Sequence, residues 1–284
     1  MDAADAFDVA VLDQWGVLHD GTTAYPQAAQ AMLALHAAGK HIIVLSNSGK
    51  RSDLNRDRIA KRGLPIETVT KVVTSGEALW EDLTEQRLEI AGVKPQVLYP
   101  ICDYHNDAID WAGKKTPIEI SLDLNETVDA ILLMGLTDGT APDAYDDIFD
   151  EAIEMQMPLI CSNPDKTSVR DSALVISPGA LADRYAAMGG EVVWYGKPYA
   201  NVYRAVIRAF AKLPPNRFLM VGDSLEHDIG GAQRVGFQSA WIRGGIHAHQ
   251  FAESTNQEQI QEISEELVEQ ASVNPPEYSL QLLS

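Results

Sequence analysis

Short apolar runs alternate with longer stretches of helical spacing over most of this chain. Val9-Ala10-Val11-Leu12 is continuous enough for a buried strand and stops at Asp13. Tyr25 to Ala38 has helical spacing and closes on Gly39, a C-terminal cap signal. His41 to Leu45 is a second strand that stops at Ser46-Asn47-Ser48-Gly49, and Arg51 to Arg62 is a second helix ended by Gly63. Strand, helix, strand, helix in this order predicts a parallel sheet with right-handed crossovers.

The same grammar returns near the other end. Glu191 to Tyr195 is a strand leading into Gly196-Lys197-Pro198, with a helix from Asn201 to Phe210. Arg217 to Val221 is a strand leading into Gly222-Asp223, and Gln238 to Ile242 is another. Between the two halves, Gln96–Tyr99, Thr127–Met134, Tyr145–Met155, Pro158–Ser162 and Leu174–Ser177 form a separate βα pattern. The expected organisation is therefore a core of residues 1–79 and 181–284, a doubly wound parallel α/β sheet, with an inserted α/β domain at 80–180. Beyond His247, Ile260, Ile263 and Leu267 fall on one stripe among Glu258, Glu262, Glu265, Glu266 and Glu269. That is an amphipathic acidic helix, expected to pack on its own core, with a homodimer contact as the alternative.

Composition narrows the partners. A length of 284 residues suffices for a sizeable core and a smaller second domain. The net charge of −19 disfavours a nucleic-acid backbone as partner and gives no general steering for an anion. A phosphate site here must bring its own local positive charge. Cys102 and Cys161 lie far apart in no metal-ligand spacing, as in a reduced intracellular protein. Met1 to Phe7 lacks the basic and apolar regions of a secretory signal, and no apolar run approaches the roughly 18 residues of a membrane span. A cytoplasmic protein without a membrane partner is expected.

Candidate chemistry sits at four strand ends. Asp13 tips the first strand, with Gly16 where the chain must turn; a carboxylate there can attack phosphorus and split one displacement into two. Ser46-Asn47 offers a hydroxyl and an amide, both able to donate to phosphate oxygens. Lys197 brings an ammonium that can neutralise a phosphoryl group and nearby carboxylates. Asp223 and Asp228 form a pair of acids after a strand, hard oxygen donors that suit Mg²⁺. In an open parallel sheet, ligands bind at this carboxyl edge of the strands. No Gly-x-Gly-x-x-Gly is present, and Ser48-Gly49-Lys50-Arg51 lacks the flanking residues of a phosphate-binding loop. His247 and His249 have no nearby third ligand and are taken as loop residues.

In order and spacing these four strand ends resemble the motifs of the haloacid dehalogenase superfamily. The insertion resembles the type IIA cap of its nitrophenylphosphatase and sugar-phosphate phosphatase branch. Cys161-Ser162-Asn163-Pro164-Asp165 late in the cap and Ser177-Pro178-Gly179-Ala180 at the expected return to the core carry the same resemblance. It spans the chain to about residue 245. It implies a Mg²⁺-dependent phosphatase acting on a small phosphorylated metabolite, with Asp13 as nucleophile and metal ligand. It further implies that Ser46 and Lys197 hold the transferring phosphoryl group with Asn47 beside them. Asp223 would bind Mg²⁺, Asp228 would orient or share that site, and the Trp15 backbone carbonyl would be a further ligand. Cap residues would read the leaving group, with Asn163 and Asp165 the first to test.

One position departs from the pattern. The superfamily carries a second Asp two residues after the nucleophile as general acid and base, and here that residue is Trp15. An indole N–H is a weak donor that cannot exchange protons near neutral pH, and general acid–base help is worth about 10²–10⁴ in rate. Three readings follow: a slow enzyme favouring leaving groups that need little protonation, a substitute group such as His19 or Asp20, or a protein that binds phosphate esters without turnover.

Overall fold

A computed structural model describes residues 3–170, 173–254 and 256–283. The first third of the chain gives β1 (Val9–Asp13), α1 (Pro26–Ala37), β2 (His41–Ser46), α2 (Ser52–Lys61), β3 (Val69–Thr74) and α3 (Ser75–Thr84). There follow β4 (Val97–Ile101), α4 (His105–Ala112), β5 (Glu119–Ile120), β6 (Ala130–Leu133), α5 (Asp146–Glu154) and β7 (Leu159–Cys161). Next come β8 (Thr167–Arg170), β9 (Ala173–Ile176), α6 (Pro178–Ala187), β10 (Val192–Trp194) and α7 (Ala200–Ala209). The chain closes with β11 (Phe218–Gly222), α8 (Gly231–Arg234), β12 (Gln238–Ile242), α9 (Gln257–Gln270) and β13 (Tyr278–Leu280). It divides into two compact units. One holds Met1–Ser46, Asp53–Val73 and Lys197–Ser284, and the other Asn47–Ser52 and Thr74–Gly196.

The first unit is built on a six-stranded sheet in the order β13-β12-β11-β1-β2-β3. The pairings from β13 through to β2 are parallel. β1 is buried along its whole length, which explains its unbroken apolar run: a parallel strand with helices on both faces has no polar side. α1 begins on Pro26, whose fixed φ suits the first helical turn, and ends before Gly39, which takes φ +73. The chain winds from β1 outward to β2 and β3 and, later, from β11 outward to β12 and β13. The order therefore reverses between β1 and β11, and the carboxyl ends of those two strands flank the crevice where open α/β sheets bind ligands.

α9 is the acidic helix expected from the sequence. Its stripe of Ile260, Ile263 and Leu267 packs with Val268 against Leu225, Ile229, Trp241 and Phe251. The helix is thus part of the core of its own unit.

The second unit carries a five-stranded sheet, β10-β7-β6-β4-β5, with parallel pairings, and a separate antiparallel hairpin, β8-β9. Its core gathers Leu133, Phe149, Leu159, Leu181 and Tyr185. The Phe149 and Tyr185 rings meet edge to face at 5.0 Å, and the Tyr185 hydroxyl donates to the Met157 carbonyl. Burying side chains of this size stabilises a fold by about 1.5–3 kcal/mol each.

This unit is wider than the expected 80–180. Val192–Trp194 pairs with Leu159–Cys161 in the second sheet, so the strand before Lys197 does not belong to the core sheet. Pro178–Ala187 likewise buries Leu181, Ala182 and Tyr185 in the second unit, so the chain does not return to the core at Ser177–Ala180. Asn47–Ser52 joins the same unit through hydrogen bonds. Gly76 N donates to Ser48 O at 3.0 Å, and Thr74 Oγ1 donates to Lys50 O at 2.6 Å. No helix among the described residues is long and apolar enough to cross a membrane.

Candidate active site

Asp13 is the last residue of β1, and its Cα pairs with Leu45 of β2, so Ser46 follows at the same sheet edge. Beyond Asp13 the chain makes a tight turn. Leu18 N and His19 N donate to Gln14 O at 3.0 and 3.3 Å, and Gly16 N donates to His19 O at 2.9 Å. Gly16 adopts φ +85, and Val17 and Leu18 plunge into the core and anchor the turn. A Cβ on Gly16 would lie 1.9 Å from Asp223 Oδ2, so only glycine allows this backbone to approach that carboxylate. The peptide joining Trp15 to Gly16 thus runs beside Asp223.

Asp223 directly follows β11, and Asp228 lies in the helical turn Leu225–Gly230. Asp228 Oδ2 accepts from Ser224 N at 3.0 Å, and Ser224 Oγ accepts from His227 N at 3.1 Å, so the loop is closed by its own side chains. Carboxylate oxygens of Asp13, Asp223 and Asp228 lie within 4.8 Å of one another, and all three residues are buried. The buried Lys197 ammonium donates to Asp13 Oδ1 and, at 2.6 Å, to Asp228 Oδ1.

The electrostatics follow from three acids sharing one ammonium. Burial pushes the Asp13 carboxyl up to about 7, against the Lys197 charge that pulls it down. Burial, with the neighbouring Asp13 and Asp228, pushes Asp223 up to about 8. For Lys197, burial disfavours the charge, but the carboxylates of Asp13 and Asp228 outweigh it and hold the ammonium charged. A buried group of hard oxygen donors with excess negative charge fits a divalent cation such as Mg²⁺, which would replace proton uptake as the means of neutralising it.

The chain is similar to known proteins in sequence and in fold. A sequence profile described as "Haloacid dehalogenase-like hydrolase" matches residues 10–95, and a second, "HAD-hyrolase-like", matches 194–269, together more than half of the chain. The chain belongs to the haloacid dehalogenase superfamily. It is 27% identical over 265 residues to the human haloacid dehalogenase-like hydrolase domain-containing protein 2, covering 90% of this chain and 92% of that one. Among solved structures it is similar to a haloacid dehalogenase-like hydrolase from Brucella suis 1330. That likeness has 28% identity and a TM-score of 0.74, and covers 88% and 94% of the two chains. It also shares its fold with a p-nitrophenyl phosphatase from Archaeoglobus fulgidus, at 17% identity and TM-score 0.74, with 98% and 97% covered. That likeness runs over nearly the whole chain, inserted unit included, as the type IIA resemblance implies.

Within this haloacid dehalogenase-like hydrolase, Asp13, Lys197, Asp223 and Asp228 come together in one unit, with Ser46 at the same sheet edge. Asn47, Asn163 and Asp165 come together in the other. Asn47 Nδ2 donates to Asp165 Oδ1 at 2.8 Å, and Asp165 N donates to Asn163 Oδ1 at 3.1 Å. Trp15 is half-exposed, and its indole edge lies against Gly21, where a Cβ would be 2.6 Å from Nε1. The two suggested substitutes are held by hydrogen bonds within their own loop. Asp20 Oδ1 accepts from Thr22 N and Thr23 N of its own loop at 2.9 and 2.7 Å. His19 Nδ1 accepts from Gly21 N at 2.9 Å, which leaves Nε2 as the N–H.

The sequence reading missed one element of the site. The loop after β12 brings Ile246 N to 2.8 Å from Asp223 Oδ2, and a Cβ on Gly245 would lie 2.1 Å from the same oxygen. The only available signal was Gly244-Gly245 following a strand, since a backbone donor leaves no mark on residue type.

Proposed function

We propose that this hydrolase acts on a small phosphomonoester, a phosphorylated metabolite or nitrophenyl phosphate-like compound, through an aspartyl-phosphate on Asp13. The observation that carries the reading is the buried cluster in which Asp13 shares Lys197 with Asp228 and lies beside Asp223. In the first half-reaction an Asp13 carboxylate oxygen forms a bond to phosphorus while the ester P–O bond breaks, and the leaving oxygen takes that electron pair. In the second, water forms a bond to phosphorus, the acyl-phosphate P–O bond breaks, and Asp13 returns as carboxylate with release of inorganic phosphate. Lys197 places its charge beside Asp13, where the phosphoryl group would arrive, and Ser46 at the neighbouring strand end supplies a donor for its oxygens. Asp13, Asp223 and the Trp15 carbonyl, with Asp228, would hold Mg²⁺. When bound, that cation would supply positive charge that stabilises the charge developing on the transferring group. Asp228 already accepts on both oxygens, from Lys197 and Ser224, which suits a residue that orients the site. Asn163 and Asp165, tied to Asn47, are the proposed readers of the leaving group.

Trp15 limits the rate. Trp15 stands where the superfamily pattern has its acid, and the hydrogen bonds that the structure shows for Asp20 Oδ1 and His19 Nδ1 are to their own loop. The enzyme therefore favours leaving groups that are stable as anions. The same feature supports a second reading, a protein that binds phosphate esters without turnover. A steady-state assay with p-nitrophenyl phosphate and a sugar-phosphate panel separates the two. Mg²⁺-dependent turnover lost in Asp13→Asn supports the enzyme; phosphate binding with no turnover on any substrate leaves only the binder.

A further inference from the structure

Asp223 is gripped by groups that lie outside the four strand-end motifs. Its main-chain carbonyl accepts from Trp241 Nε1 at 3.1 Å, and its Oδ2 accepts from Ile246 N at 2.8 Å. The same oxygen is walled by backbone on two sides, since a Cβ would sit 1.9 Å away on Gly16 and 2.1 Å away on Gly245. Trp241 is fully buried at the end of β12, where it pairs with Gly222, the residue before Asp223. Its ring is wedged between His247 at 5.6 Å and Phe251 at 5.8 Å. Leu225 and Ile229, which flank Asp228 in its turn, belong to the same apolar cluster, and the α9 stripe closes that cluster from behind.

We propose that Trp241, Gly245 and Ile246, backed by α9, form a positioning clamp for Asp223 that sets the affinity of the carboxylate cluster for a divalent cation. A carboxylate with one oxygen fixed by a main-chain N–H and no room to rotate is already oriented, so a cation binding there spends less free energy on ordering its ligand. The acidic C-terminal helix thereby acquires a role. Its apolar face supports the residues that hold Asp223 and the turn that carries Asp228, and its glutamates face away from that cluster into solvent as the exposed side of an amphipathic helix. Ile246 acts through its backbone, so substitution there leaves the bond intact. Gly245 and Trp241 are the positions that test the clamp.

The inference depends on reading the cluster as a cation site. The experiment keeps the two apart by measuring cation binding on the full chain without substrate. Mg²⁺ affinity is measured by calorimetry and Mn²⁺ binding by its EPR signal, with folding followed by circular dichroism. Gly245→Ala, which drives a methyl onto Oδ2, is expected to weaken binding by about tenfold or more. Trp241→Phe keeps an aromatic ring but loses the N–H together with part of the indole volume, so its stability is followed alongside, and it is expected to weaken binding roughly threefold. Phe149→Leu is the control. It disturbs the Phe149–Tyr185 pair in the core of the other unit and should lower stability while leaving cation affinity at the wild-type value. Wild-type affinity in folded Gly245→Ala and Trp241→Phe would overturn the clamp alone, and Trp241→Phe decides the matter if Gly245→Ala does not fold. Absence of cation binding by the wild-type protein would overturn both the cation site and the clamp.

Discussion

The Lys197 ammonium is paired with the Asp13 carboxylate, both side chains buried at the carboxyl end of β1. The pair spans 184 positions of sequence, so the inserted unit interrupts the core between its nucleophile candidate and the cation that favours its charged form. Lys197 is also the cation shared with Asp228, and its removal leaves two buried carboxylates uncompensated. Lys197→Met should therefore destabilise the protein by about 3–5 kcal/mol at pH 8, the cost of breaking a buried pair by deleting one partner. Urea unfolding in the presence of EDTA measures this. An unchanged midpoint would show that the ammonium does not compensate the acids.

Cation affinity should depend on pH in a definite direction. Asp13 and Asp223 are pushed up to about 7 and about 8, above the 3.8 of an ordinary Asp. Folded pKa values above the unfolded one mean that the cation-free fold binds protons the unfolded chain has released. Its stability from these groups therefore falls as pH rises from about 4 through 8. A divalent cation must displace those protons, so Mg²⁺ binding should tighten from pH 6 to pH 9 and release protons as it does. Calorimetry in two buffers of different ionisation enthalpy reads both effects; a flat affinity with no proton release would contradict them.

His19 should govern part of the acid sensitivity. Burial, with Arg62 nearby, pushes its imidazole down to about 4 from 6.5. A depressed value means the folded protein stays neutral at His19 while the unfolded chain gains a proton. The stability contributed above pH 6.5 is therefore lost as pH falls toward 4. His19→Asn keeps an acceptor for the Gly21 N–H and removes the titration. Between pH 6.5 and 4, the variant should lose on the order of 1–2 kcal/mol less than the wild type, a figure discounted for partial solvation. Parallel pH–stability curves for the two proteins would contradict this.

Trp15→Asp should raise turnover, because it restores a carboxyl two residues after Asp13. General acid–base help is worth about 10²–10⁴, so an increase of at least tenfold in kcat is expected for a substrate with a poor leaving group. The gain for p-nitrophenyl phosphate should be smaller. Equal or lower kcat on both substrates, in a folded variant, would separate the rate limit from the missing carboxylate.

Much of the site was legible because its side chains sit where apolar runs stop. Asp13 ends and Asp223 follows the apolar runs of β1 and β11, neighbouring parallel strands that deliver both stops to one edge. Asp228 lies in the turn beyond Asp223, whereas Lys197 follows a strand of the other sheet. The strand before Lys197 was assigned to the wrong sheet for a physical reason. Both units are built from alternating strands and helices, and Val192–Trp194 carries no local sign that its partner is Leu159–Cys161. Asn47 was singled out from the sequence, yet its partner Asp165 is 118 residues away, a pairing no local pattern encodes. The clamp on Asp223 was invisible because it consists of main-chain N–H and Cα groups, apart from one tryptophan that reads simply as core.

The central claim is that Asp13 carries the phosphoryl group, and trapping that group tests it most directly. The protein is mixed with p-nitrophenyl phosphate and Mg²⁺, quenched in acid within milliseconds, and its peptides are weighed. The account predicts a phosphoryl adduct on the peptide containing Asp13. The adduct should build up in a burst because water attack lacks a base at Trp15, and it should be absent from Asp13→Asn. Turnover in the wild type with no adduct on that peptide, or turnover retained by Asp13→Asn, would contradict it.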